Sequence, residues 1–207
     1  MVVNALEEAF GKASEETGLD IYSVDPLIGS ELLVNAMKAV IIACLLILVY
    51  IAFRFEFRSG VVGVLALIHD VLIAVGLFTL MQKEIDATFI AALLTILGYS
   101  INGTIVIFDR IRDNMKVTKL KTEEDLEALI DRSIVETLPR TLNTSVTCLF
   151  AALALWLLGG EGIRNFSFAF LIGLVAGTYS SIFIASQIWF EWKKRELRKG
   201  KLASQNS

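Results

Sequence analysis

The sequence predicts an all-α membrane protein, a five-helix transmembrane bundle with a short N-terminal extracytoplasmic α+β remnant. Three observations carry that reading. The 207 residues are 55% hydrophobic with a mean hydropathy of +0.65, more apolar surface than a soluble core of this length needs. The charged residues are 20% of the chain and unevenly spread, with none in Val40–Tyr50 or Val61–Ile68. Five apolar stretches, Met37–Phe53, Gly60–Met81, Ala87–Phe108, Thr141–Leu158 and Phe166–Trp189, lie near the ~20 residues that cross ~30 Å of hydrocarbon.

Residues 1–36 are expected to be the end of an extracytoplasmic domain. They hold seven acidic residues and one basic, with no signal-peptide pattern. Asn4–Gly18 reads as an amphipathic helix and Ile21–Val24 as a short strand. Too short to form a core alone, and with nothing ahead to carry it across a membrane, this segment suggests a C-terminal part of something larger or a chain reliant on partners. Residues 37–192 form the transmembrane domain and 193–207 a basic cytoplasmic tail. Orientation follows the basic residues. Fifteen lie in the first connection, the long connection with the start of the fourth span, and the tail; only Lys12, Lys38, Lys83 and Arg164 lie on the other side. The C-terminus is therefore expected in the cytoplasm and the N-terminus outside.

The long connection, 109–139, carries a capping box at Thr122 and Asp125 followed by the apolar stripe Leu126, Leu129, Ile130 and Ile134. It reads as an interfacial helix lying along the membrane, with Pro139 breaking the chain before the fourth span. Gly159, Gly160 and Gly162 make a flexible external turn.

Polar groups inside lipid are costly and mark function first. Asp70 lies near the middle of the second span, preceded by the lone histidine, His69. The third span holds Ser100, Asn102 and Thr104, and the fourth begins with Arg140, Thr141, Asn143, Thr144, Ser145 and Thr147. These sets lie at similar depths, so Asp70, Asn102 and the start of the fourth span could share one network. An ion or proton path competes there with interhelical hydrogen bonding. The cost of an intramembrane carboxylate favours function for Asp70; each hydroxyl and amide taken singly favours packing. His69 reads equally as a proton relay or a packing neighbour, and Arg140 as a site residue or a snorkelling boundary arginine.

Gly173, Gly177 and Ser181 form a small-residue ridge in the fifth span that admits a close helix neighbour, continued by Ala185. Cys44 and Cys148 sit in apolar runs without metal or disulfide spacing. His69 and Asp70 do not face one ion together, and no phosphate loop or nucleophile elbow is present. Neither an enzyme, a cofactor, a metal site nor a nucleic-acid partner is expected.

The chain resembles the SecF branch of the SecD/SecF family of protein-export membrane proteins, within the RND superfamily. The resemblance runs through Ser23–Leu32, His69-Asp70-Val-Leu-Ile, Gly98–Asn102, Thr104–Arg112, Leu138–Ser145 and Gly177–Ala185, nearly the whole chain in order. It implies the last five of six spans, the first span and most of the external domain being absent. It implies a multi-pass protein of the bacterial plasma membrane that works beside a SecD-like subunit and the SecYEG translocon. There it would use the proton-motive force to help move unfolded polypeptide. Where the family commonly reads Asn-Asp-Thr, this chain reads Asn102-Gly103-Thr104, so the carboxylate implied in proton movement is replaced by Gly103 while its basic partner, Arg140, remains. Another RND-type transporter subunit, for small molecules or lipids, and a membrane scaffold without ion coupling are the alternatives.

Overall fold

A computed structural model describes residues 26–118, 120 and 122–205, and the side-chain surroundings of residues 31–198 among them. The expected helix 4–18 and strand 21–24 lie outside the described residues. Among the described residues, five helices are long and apolar enough to cross a membrane. They are α1 (Pro26–Arg54), α2 (Phe57–Leu80), α3 (Ala87–Val117), α4 (Glu123–Leu158) and a last helix in three parts. In the last, α5 (Glu161–Tyr179) passes through a π-helical segment, Ser180–Ala185, into α6 (Ser186–Gln205). The tail is thus helical through Gln205, continuous with the fifth span.

Local sequence explains the ends. Pro26 opens α1, where its missing N–H costs nothing. Asp86 caps α3 by accepting from the Phe89 N–H at 2.8 Å. At α4 the expected capping box is complete, Asp125 N–H donating to Thr122 Oγ1 and Thr122 N–H to Asp125 Oδ2. Gly159 ends α4; a Cβ there would lie 2.2 Å from the Leu155 carbonyl oxygen, so only glycine permits the two-residue turn into α5.

The long connection departs from expectation. Among the described residues there is no separate interfacial helix and no break at Pro139. At 1.5 Å per residue, α3 and α4 run about 46 and 54 Å, well beyond ~30 Å of hydrocarbon, and project together as a helical hairpin. The stripe Leu126, Leu129 and Ile130 is buried against Ile107, Phe108, Ile111 and Trp189, with Ile134 half-buried beside them. It faces a protein core rather than lipid. Pro139 is carried inside α4. Its ring removes a bond only to the carbonyl of Val135, whose residue is 65% exposed. The Thr137 hydroxyl reinforces the turn by donating toward the carbonyls of Ser133 (2.9 Å) and Ile134 (3.1 Å).

The basic connections gather at one end of the bundle. Arg112 donates to the Arg54 carbonyl and lies over Phe55, Arg58 pairs with Glu196, and Arg198 with Glu123. Arg110 and Arg132 share Glu136 with Asn114, and these donors hold the Glu136 carboxyl down to about 2, the Arg110 hydrogen bond first. At the membrane level α3 and α5 run side by side, as do α1 and α2, while α1 and α4 leave broad apolar faces uncovered.

Candidate functional site

Asp70 is fully buried on α2. Its Oδ2 accepts from the Ser100 hydroxyl of α3 at 2.5 Å and from the Ser180 hydroxyl of the π-helical segment at 2.8 Å. Its Oδ1 lies 3.0 Å from His69 Nδ1, within hydrogen-bond distance. One carboxyl thus ties three helices, with two hydroxyl donors on Oδ2 and a ring nitrogen beside Oδ1, partners that a buried carboxyl needs. The two hydroxyls contact the carboxyl directly, so Asp70 joins α2 to α3 and to the π-helical segment without an intervening group.

The π-helical segment places Ser180 there. A π turn loosens the regular ladder and is frequent at functional positions. Here the hydroxyls of Ser181 and Ser186 donate to the carbonyls of Gly177 and Ile182, and Ser180 lies 3.3 Å from the Gly177 carbonyl oxygen as well. Small hydroxyl residues therefore cover the backbone that the wide turn exposes.

Beside this node lies a cavity of about 150 Å³ between α3, α4 and the α5–π junction. Asn102, Gly103, Arg140, Thr141 and Ser181 line it, together with Ser100. Asp70 and Ser180 do not, so Ser100 forms the wall between carboxyl and cavity. A Tyr99–Ser145–Thr178 bridge closes the cavity's other wall, Tyr99 donating to Ser145 at 3.0 Å and Thr178 lying 2.8 Å from the same oxygen. Thr141 Oγ1 is buried without a protein partner, and Arg140, exposed at the cavity edge, makes no ion pair among the described residues.

The expected network is therefore divided. Asp70 meets Ser100 and His69, but neither Asn102 nor α4 bonds it. Asn102, Gly103 and Arg140 share the cavity instead. Thr104 is buried with its hydroxyl unpaired, on the side of α3 turned toward Gly63 of α2. A Cβ at Gly103 would stand 2.9 Å from Ser181 Oγ. The ridge faces inward: Gly173 meets Ile96, Gly177 meets Ser100, and Ser181 meets Gly103. Its neighbour is α3 of the same chain. Reading the sequence alone missed Ser180, Tyr99 and Thr178. The run Gly177-Thr-Tyr-Ser-Ser181 was the signal, since consecutive hydroxyls inside an apolar helix need partners.

Fold and site define a multi-pass α-helical membrane protein with a buried carboxyl node beside a polar intramembrane cavity. The family model for the protein export membrane protein SecD/SecF, C-terminal, matches residues 3–195, and the chain belongs to that family. It is 47% identical over 197 residues to the protein translocase subunit SecF of Alicyclobacillus acidocaldarius, covering 95% of this chain and 64% of that one. It is 45% identical to the protein translocase subunit SecDF of Thermus thermophilus, over 96% of this chain and 26% of that one. The crystal structure of SecDF from Thermus thermophilus, a translocon-associated membrane protein, matches with a TM-score of 0.75 and 48% identity, over 82% of this chain and 23% of that one. The chain thus spans less than two thirds of the SecF relative and about a quarter of the SecDF chains.

Proposed function

We propose that this chain is the SecF-type membrane part of an accessory unit of the Sec protein translocase. It would work with a SecD-like half and the SecYEG translocon on unfolded polypeptide crossing the bacterial plasma membrane, without enzymatic chemistry of its own. The observation that carries this is the family match over residues 3–195, which takes in every residue of the carboxyl node and the cavity. The basic connections gathered at one end of the bundle support a cytoplasmic placement for that end and for the C-terminus. An N-terminal segment outside the membrane follows from the same rule.

Coupling to the proton-motive force is assigned to Asp70, His69, Ser100, Asn102, Thr104 and Arg140. A buried carboxyl that changes charge changes its hydrogen-bond demand on α3 and on the π-helical segment together, which turns proton binding into helix movement. With Gly103 in place of the family carboxylate, Asp70 is the intramembrane carboxyl available in this chain for that step. The test is translocation into inverted membrane vesicles that hold this chain with its SecD-like partner, with and without an uncoupler. The expected result is an uncoupler-sensitive gain that Asp70→Asn removes. A gain unaffected by the uncoupler and by Asp70→Asn would leave the Sec role standing and refute the coupling.

A further inference from the structure

Resting on the proton-coupling reading of Asp70, we infer that the Ser100 hydroxyl is the proton gate between a hydrated cavity and the buried Asp70 carboxyl. The cavity would be the proton's source and sink. Three observations lead there. The first is a difference between two otherwise similar donors. Ser100 and Ser180 both donate to Asp70 Oδ2, at 2.5 and 2.8 Å, yet only Ser100 also lines the cavity. The second is hydration. A volume of about 150 Å³ holds several waters, since each needs about 10–15 Å³ and a few polar partners. Thr141 Oγ1, buried and unpaired, requires one of them. The third is the backing of Ser100 by Gly177, whose missing side chain lets the two helices close to contact and holds the hydroxyl in place.

The step balances without any further reactant. A cavity hydronium gives a proton to Ser100 Oγ as the Ser100 O–H bond breaks toward Asp70 and a new O–H bond forms at Asp70 Oδ2. The hydronium becomes water, the serine is unchanged in net charge, and the carboxylate is neutral. Release runs the same path backward. On the far side, His69 Nδ1 contacts Oδ1 while its half-exposed ring borders an apolar groove lined by Ile73, Leu77, Val175 and Tyr179. Among the described residues that groove is lined mainly by apolar side chains, so water reaches the carboxyl less readily from it. The titratable or charged groups around the node include His69 on α2, Tyr99 on α3 with Cys148 of α4 beside it, Arg140 on α4 across the cavity, Tyr179 on α5, and Cys44 on α1, which packs against the cluster holding Leu67 and Leu97. Arg140, exposed at the cavity edge, lowers the standing concentration of hydronium there.

The experiment is time-resolved infrared spectroscopy of the full chain in lipid vesicles, following the carboxyl band of Asp70, identified by its loss in Asp70→Asn, after a pH jump and after transfer to D2O. Ser100→Ala should slow the exchange by about 10²-fold, the scale contributed by a positioned proton-transfer group. Ser180→Ala, which removes an equivalent donor outside the cavity, should leave the rate within a few-fold of the parent. Equal rates in the two variants overturn the gate, and so does an Asp70 band that neither titrates nor exchanges. No translocation enters this readout, so equal exchange rates beside an uncoupler-sensitive gain would refute the gate alone.

Discussion

Gly177→Ala adds a single methyl at the point where α5 touches α3, and the structure sets its effect. The new Cβ would stand 2.9 Å from Ser100 Cβ, 3.1 Å from Ser100 Oγ and 3.4 Å from Ser100 Cα. Carbon atoms rest at about 3.5–4.0 Å, so the helices must separate by roughly 0.6–1 Å or the serine must turn away. Neither is free, because Cα and Cβ of Ser100 move only with the helix. Overpacking of this kind costs about 1–3 kcal/mol. If the Ser100 hydroxyl leaves Asp70, an unmet buried acceptor adds about 1–3 kcal/mol. Gly98→Ala on the same helix α3 is the internal comparison. Beyond its own stretch of helix backbone no heavy atom lies within 4 Å of its added methyl, and helix propensity alone favours alanine there by roughly 0.5–1 kcal/mol. The two substitutions therefore differ in sign. Thermal unfolding of each purified variant, followed by tryptophan fluorescence in one detergent, should show Gly177→Ala well below the parent and Gly98→Ala at or above it. Identical melting of the two would refute the inward-facing ridge and the role of Gly177 in placing Ser100.

Gly173→Ala should destabilise as well, since its Cβ would stand 2.2 Å from Ile96 Cγ1; Ile96→Ala in the same chain should recover much of that loss, and a double-mutant cycle in melting temperature measures the coupling. At the basic end, Arg198 first and then Lys194 hold the Glu123 carboxyl down to about 2, below its usual 4.5. A depressed acid stabilises above its unfolded value and loses that contribution as pH falls through the folded one, so the docking of α6 on α4 should loosen between pH 4.5 and 2; hydrogen exchange of α6 amides should show this in the parent, while Glu123→Gln should be loosened already at neutral pH. For topology, a cysteine placed by Gly160→Cys, in the turn between α4 and α5, should react with an impermeant thiol reagent on intact spheroplasts; one placed by Ser204→Cys should react only once the membrane is opened.

The amino-acid sequence by itself determined the five apolar spans, the capping box at Thr122 and Asp125, and the cost of Asp70, because each is a local statement about hydropathy, spacing or burial of charge. The small-residue ridge was equally legible, since Gly173, Gly177 and Ser181 repeat at the helical period. What it faces was not. A ridge says that some helix comes close, and only the assembled bundle shows Ile96, Ser100 and Gly103 of α3 opposite it. The fate of Pro139 was decided the same way. Local propensity predicts a break, but the bond it removes belongs to the carbonyl of exposed Val135, and burial of Leu126, Leu129 and Ile130 against Trp189 and Phe108 holds the helix straight through. The division of the expected polar network also belongs to tertiary structure. Residues at one depth share a layer of the membrane, yet helix rotation turns Ser100 toward Asp70 and Asn102 toward the cavity. Depth follows from position along the chain, whereas rotation about the helix axis is set by what packs on the other side.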